Sequence, residues 1–209
     1  MKETLLITFF LLRAVFSLAG DKEGAKAEKQ RLFTYTVEWG ASGNWFNYNV
    51  STYITDVQSL VNIRNINPFF HLNGELMAGV GLNVGKRLNL SLLTGYCGIQ
   101  KGVRFYPAEL RASVFLQPGH SKGAFFFLGG GGGICEERRQ KTAFFGRGGY
   151  GYRFDIGSGA ALDFRAALQG AYSHPDVTDK YTGKIVQQSN LRRSKSISIN
   201  TIFSVALVF

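Results

Sequence analysis

After residue 19 the sequence has no apolar run long enough to form a membrane-spanning helix. Such a helix needs about 20 apolar residues, and the most apolar block, 124–135, is interrupted by five consecutive glycines, Gly129 to Gly133. Prolines are also few, with four in 209 residues, and no Pro- or Ser-rich linker divides the chain, so a single domain is expected. A chain of this kind crosses lipid only as a closed sheet, in which every backbone polar group finds an internal partner.

The residues that usually hold metals or cofactors are scarce as well. There are two cysteines, Cys97 and Cys135, and three scattered histidines, and their spacing does not match a zinc site. The glycine run lacks the Gly-Lys-Ser/Thr ending of a phosphate loop. We therefore expect no metal, no cofactor and no catalytic residue. Whether the two cysteines form a disulfide or two separate buried thiols stays open.

The start of the chain has the features of a secretory signal peptide. Lys2 precedes a short apolar core, Leu5 to Leu12, and small residues lead to Ala19. The mixed charges that follow are typical of a flexible segment. We predict a cleaved signal peptide over 1–19 and a periplasmic leader over 20–31.

Beyond the leader, apolar residues recur at every second position, which is the pattern of strands with one apolar face. The last strand shows it best, because Ile197, Ile199 and Phe203 alternate with Ser198 and Asn200. We predict eight strands, at 32–43, 70–84, 87–98, 106–116, 124–135, 142–154, 162–172 and 196–209.

The connections between these strands differ in length at the two ends. Short turns fall at 85–86, 117–123 and 155–159, whereas long connections fall at 44–67 and 173–195. An even strand count, short periplasmic turns and long outer loops are typical of bacterial outer-membrane barrels. We expect an all-β fold, a closed antiparallel transmembrane barrel with an up-and-down meander. A ten-strand barrel would also use 47–54 and 60–66, which we interpret instead as an outer hairpin.

The face opposite the apolar one carries charged residues of both signs in equal number. An interior of eight strands is only just wide enough for its side chains, and buried charges need partners, for which the arginine fork suits carboxylates. We predict a salt-bridged plug; the alternative is that the same residues line a narrow ion path. The predicted interior charges are Glu38, Glu75, Glu109 and Asp163 with Arg111, Arg147, Arg153 and Arg165.

An amphipathic last strand that ends in Phe209 resembles the closing strand of small outer-membrane β-barrel proteins of the OmpA and opacity types. The resemblance extends over 32–209 and implies that Phe209 serves as a recognition signal for the barrel-insertion machinery. It also implies a place in the outer membrane of a Gram-negative bacterium. The functions that it implies are structural support, surface recognition through 44–67 and 173–195, or transport as a narrow porin.

The formal net charge is +10, and part of the excess lies in the last outer connection. Such residues are suited to contact lipopolysaccharide phosphates by charge-assisted hydrogen bonds, although solvated loops have the same composition. Export and the lack of a recognition motif disfavour nucleic acid. We expect a lipid-embedded monomer and no enzyme; a lipid-modifying activity at His174 would be the exception. The basic residues concerned are Lys180, Lys184, Arg192, Arg193 and Lys195.

Overall fold

The computed structural model describes residues 31–55, 58–67, 70–100, 103–135 and 142–209. The predicted signal peptide and all but the last residue of the predicted leader therefore lie outside the described residues. Within these ranges no helix is long and apolar enough to cross a membrane. The strands are β1 (Phe33–Ile54), β2 (Leu60–Asn67), β3 (His71–Val84), β4 (Leu88–Gln100), β5 (Val103–Phe115), β6 (Gly123–Cys135), β7 (Ala143–Gly157), β8 (Ala160–Ser173) and β9 (Leu191–Val208).

Eight of these strands close into a barrel, and the ninth lies outside the ring. Each strand from β3 to β9 pairs antiparallel with the next, β1 pairs with β3, and the β1–β9 ladder closes the cylinder. The short strand β2 pairs only with the outer part of β1, from Asn47 to Ile54. The predicted fold, a closed eight-stranded antiparallel meander, is confirmed. The predicted outer hairpin is confirmed too, and the ten-strand alternative is wrong for the described chain.

The strand ends at the long-loop side were predicted too short. β1 continues 11 residues beyond the predicted end at residue 43, and β9 begins at Leu191 rather than at 196. Much of 44–67 and the end of 173–195 is thus strand rather than loop. The five residues added to β9, Leu191 to Lys195, are mostly polar and show no apolar alternation. For β1 the reason is a bulge between Asn44 and Phe46, where the register with β9 shifts. Because a bulge adds one residue, it breaks the two-residue alternation on which the prediction rested.

Burial in the barrel is the reverse of that in a water-soluble protein. Outward positions carry exposed apolar side chains on every barrel strand, such as Leu72, Leu110 and Phe203, whereas inward positions hold buried polar and charged ones. The three contiguous phenylalanines of β6, to which apolar alternation alone assigns no face, also follow this pattern. Phe126 points outward, and Phe125 and Phe127 point into the interior.

Candidate functional site in the barrel interior

The eight predicted interior charges form one unbroken chain in which carboxylates and guanidiniums alternate. All are buried, with no more than 8% of any of them exposed. They reach the same space because each occupies an inward position of β1, β3, β5, β7 or β8. In order, the chain is Glu75, Arg147, Glu109, Arg111, Glu38, Arg165, Asp163 and Arg153, with successive N···O distances of 2.7, 2.7, 2.7, 2.6, 2.5, 2.7 and 2.6 Å.

Several links in this chain have the geometry of strong hydrogen bonds. Arg153 forms a bidentate pair with Asp163, in which Nε donates to Oδ1 at 2.6 Å and Nη2 donates to Oδ2 at 2.8 Å. Glu38 accepts from two guanidiniums through one oxygen, and its other oxygen accepts from Ser204 Oγ at 2.6 Å. Arg147 and Glu109 form an ion pair, but the angles at their contact do not meet those of a hydrogen bond. Charge-assisted, forked bonds fix the side chains in place, so the network is a rigid plug.

Each guanidinium of the plug also lies against an aromatic ring, which the sequence prediction missed. Cation–π contact of this kind adds roughly 0.5–2 kcal/mol, the more so where water is excluded. The spacing contained the signal for one pair, because Phe145 is two residues from Arg147 and shares its face. The distances from guanidinium carbon to ring centre are 4.7 Å for Arg153–Phe115, 5.2 Å for Arg111–Phe127, 5.2 Å for Arg147–Phe145 and 5.7 Å for Arg165–Phe125.

The inner end of the charge chain joins the turn between β5 and β6. Arg153 Nη1 donates to the His120 carbonyl oxygen at 2.8 Å, and His120 Nε2 lies 3.1 Å from the Gly85 carbonyl oxygen. The imidazole packs edge-on against Phe115, with 5.0 Å between ring centres. This turn therefore folds inward and covers the short-turn end of the barrel.

The two cysteines are buried thiols rather than a disulfide. Cys97 pairs across the sheet with Phe105, and Phe105 pairs with Cys135, so one strand separates the cysteines. Two strand spacings amount to about 10 Å, beyond the roughly 7 Å between Cα atoms that a disulfide tolerates. Cys97 Sγ lies 3.3 Å from Glu75 Oε2 and donates to it at the outer end of the charge chain.

The outer mouth is covered by the segment between β8 and β9. Its Val177 and Val186 pack on Tyr53, an inward residue of β1 that is fully buried. The Lys180 amide donates to the Tyr53 hydroxyl at 3.0 Å, and a bridge between Thr178 and Ile185 holds the segment in a small hairpin. We call β2, the part of β1 paired with it, and 174–190 the outer platform. The two predicted loops are thus parts of one folded unit.

The residues of the predicted basic patch lie on two elements. Lys180 and Lys184 lie on the small hairpin of the platform, whereas Arg192, Arg193 and Lys195 belong to β9. All five side chains are exposed.

The last residue, Phe209, is tied to the first strand by two backbone hydrogen bonds with Tyr35, of 3.0 and 2.9 Å. Its ring is 44% exposed on the outer wall. Recognition by an insertion machinery stays a prediction.

His174, named above for a possible lipid-modifying activity, directly follows the last residue of β8. Ser173 is buried in the interior, whereas the neighbouring His174 is exposed and its Nε2 lies 3.2 Å from the Tyr172 hydroxyl.

No protein-family model and no curated protein matches the sequence. Among solved structures, the outer membrane protein AlkL in DMPC lipid bilayers is similar over 91% of this chain and 96% of its own, with 14% identity and a TM-score of 0.44. Neisserial surface protein A is similar over 85% of this chain and 99% of its own, with 8% identity and a TM-score of 0.40. A designed transmembrane β-barrel is similar over 81% and 94%, with 10% identity and a TM-score of 0.35. Similarity at this level says nothing about activity.

We predict that Glu109→Gln destabilises the folded barrel strongly, because it leaves two buried guanidiniums short of a counter-charge. Breaking a buried pair costs about 3–5 kcal/mol. The measurement is the urea midpoint of unfolding followed by tryptophan fluorescence. Asp155→Asn is the matched control, since Asp155 is exposed near the end of β7 and an amide oxygen keeps its bond to the Gly157 amide. Equal midpoints for the two variants would contradict a paired plug.

We predict that stability falls as the pH drops below about 6.5 because of His120. Burial lowers the pKa of this imidazole from 6.5, and Arg153 adds to the effect, while the bond to Gly85 opposes it. The unfolded chain therefore binds a proton at a pH where the folded one does not, which favours unfolding at lower pH. His120→Asn, which does not titrate and tolerates the positive φ at this position, is expected to flatten this dependence. An unchanged slope between pH 7 and 5 in this variant would assign the effect to other groups.

Proposed function

We propose that the chain is an integral outer-membrane protein of the small OmpA or opacity type, closed along its axis, that acts in membrane structure or surface recognition through its outer platform. The observation that carries this proposal is the apolar outer wall. Water-soluble monomers rarely expose a contiguous apolar patch above a few hundred Å², whereas exposed leucine, phenylalanine and tyrosine side chains cover every strand of this barrel. Acyl chains are the natural surroundings of such a wall.

The distribution of aromatic residues on the outer wall supports the same proposal. Tyr106 and Phe144 lie near the long-loop end, and Tyr152 and Phe154 lie near the short-turn end. Aromatic girdles at both interfaces are a property of membrane barrels. Together with the predicted signal peptide, they favour the outer membrane of a Gram-negative bacterium over other membranes.

The closed interior favours a role at the surface over transport. The charge chain fills the middle, the His120 turn covers one end and the platform covers the other. We therefore place recognition on the platform, with outer-membrane lipid and lipopolysaccharide as partners, and the insertion machinery as a partner during assembly only. No enzymatic role is proposed.

The two tryptophans allow a direct test of insertion. Trp39 and Trp45 both point outward from β1, and six residues of a tilted strand separate them by about 15 Å of depth. In vesicles that contain the Trp45→Phe variant, we expect lipids brominated near the chain ends to quench Trp39 more than lipids brominated near the headgroup do. In the Trp39→Phe variant, lipids brominated near the headgroup should quench Trp45 more than lipids brominated near the chain ends do. A protein that stays in solution without detergent, with neither tryptophan quenched, would overturn the proposal.

A narrow channel is the second candidate, because one set of interior residues favours it. Between the charge chain and the platform, buried polar atoms of Gln169, Ser198 and Asn200 have no protein partner among the described residues. Buried polar groups normally bind a partner, which in a site of this size is water. The outer half of the interior is thus suited to hold water, and the charge chain separates it from the inner half.

Planar-bilayer recording distinguishes the two candidates. We expect the wild-type protein to be silent, because Arg147 and its two carboxylate partners block the path. Replacing the whole trio, by Glu75→Gln, Glu109→Gln and Arg147→Ala, should produce small open steps. Steady steps in the wild-type protein would favour the channel instead.

A further inference from the structure

Three cationic side chains lie on the outer wall just above the apolar belt. One of them, Arg64, is not among the basic residues predicted from the sequence. Beyond the bulge of β1, Val50 pairs with Arg64 of β2 on one side and with Lys195 of β9 on the other. Residues paired across antiparallel strands point to the same face. Thr52, one row further out, pairs with Arg193. Arg64, Lys195 and Arg193 therefore share one outward surface, which we call the cation row.

The cation row begins where the apolar wall ends. One row closer to the barrel, Tyr48 pairs with Ile66 and Ile197, and both isoleucines are exposed. Two residues along a strand advance only about 6.6 Å, so the change from apolar to cationic is abrupt. In a bilayer, such a border separates acyl chains from headgroups.

The three cations are available for a ligand. None of them forms an ion pair with another described residue, and all three are exposed. Val50 between them is only 8% exposed although it faces outward. Long cationic side chains cover apolar neighbours with their stems and keep their charged ends outside, which suits the row to a partner at the membrane surface.

We propose that the cation row binds the phosphate groups of an anionic lipid in the leaflet at the long-loop end. This inference rests on the proposed membrane location and assigns a binding site to the proposed lipid partner. Arginine and lysine form charge-assisted hydrogen bonds to phosphate, and the arginine fork adds geometry. Because all three residues are on paired strands, their backbone positions are fixed before the lipid arrives, so binding has to order only the side chains.

Two basic residues of the platform, Lys180 and Lys184, lack this arrangement. Both lie in the small hairpin closed by the Thr178–Ile185 bridge, and not on a strand of the outer wall. They carry the same charge and the same exposure, so they offer a matched control. General electrostatic attraction would involve both groups equally, whereas a headgroup site requires the cation row alone.

The test uses the full mature chain folded in zwitterionic detergent micelles and titrated with lipid A, which carries phosphates, and with dephosphorylated lipid A. Binding is followed by the ³¹P shift for the phosphorylated lipid and, for both lipids, by the rise in the unfolding midpoint. We expect Arg64→Gln with Lys195→Gln to weaken lipid A binding about tenfold or more, and Lys180→Gln with Lys184→Gln to leave it within about twofold. Inorganic phosphate alone should produce no saturable shift at the same concentrations.

Three results would overturn the inference. They are equal weakening in both double variants, equal binding of dephosphorylated lipid A, and saturable binding of inorganic phosphate as tight as that of the lipid. The tryptophan-quenching experiment keeps this inference separate from the proposed function. Normal insertion without phosphate-dependent binding rejects the cation row alone, whereas loss of insertion rejects the membrane location and this inference with it.

Discussion

At the level of the charge chain, an eight-stranded cylinder leaves little space for water to screen an unpaired charge, and the middle of the interior is arranged around that limit. Four carboxylates and four guanidiniums alternate, so every interior charge has at least one opposite neighbour within 2.7 Å. Desolvation of each ion is expensive and is offset only when the partners are complete. The aromatic rings beside the guanidiniums fill the remaining volume and stabilise the same charges. The plug is therefore one cooperative unit that links five strands.

The bulge of β1 divides the protein into two parts with different tasks. Below Asn44, even-numbered residues of β1 face the interior; above Phe46, odd-numbered residues do. The same inversion turns Tyr53 inward, where the segment before β9 packs on it, and turns Val50 outward with its cationic neighbours. A single inserted residue thus continues the wall of the barrel into a folded platform. The β1–β9 ladder runs through both parts, so the platform is fixed to the rigid cylinder.

How much of the fold and of the interior could be predicted from the sequence depends on how far apart in the sequence the interacting residues are. Alternation along a strand is local, so the faces of most strands and the pairing partners Arg111 and Glu38 could be assigned to one interior. The bulge, the outward position of Arg64 and the contact of Tyr53 with Val186 depend on register between strands distant in sequence. The phenylalanines against the guanidiniums were missed for a different reason. In the sequence, an apolar residue at an inward position interrupts the polar pattern of that face. In the folded barrel, its aromatic ring packs against a guanidinium of the same face or of a neighbouring strand.

The charge balance of the interior determines where the chain can interact electrostatically with its surroundings. The chain as a whole carries 24 basic and 14 acidic residues, a net charge of +10, and the eight plug residues contribute four of each sign, which sum to zero. All of the excess positive charge therefore lies outside the plug. A wall of apolar side chains allows few charges at mid-height, since each would face hydrocarbon. The excess is left to the two ends of the cylinder and the residues before β1, and at the long-loop end it includes the cation row for which we propose a phosphate ligand.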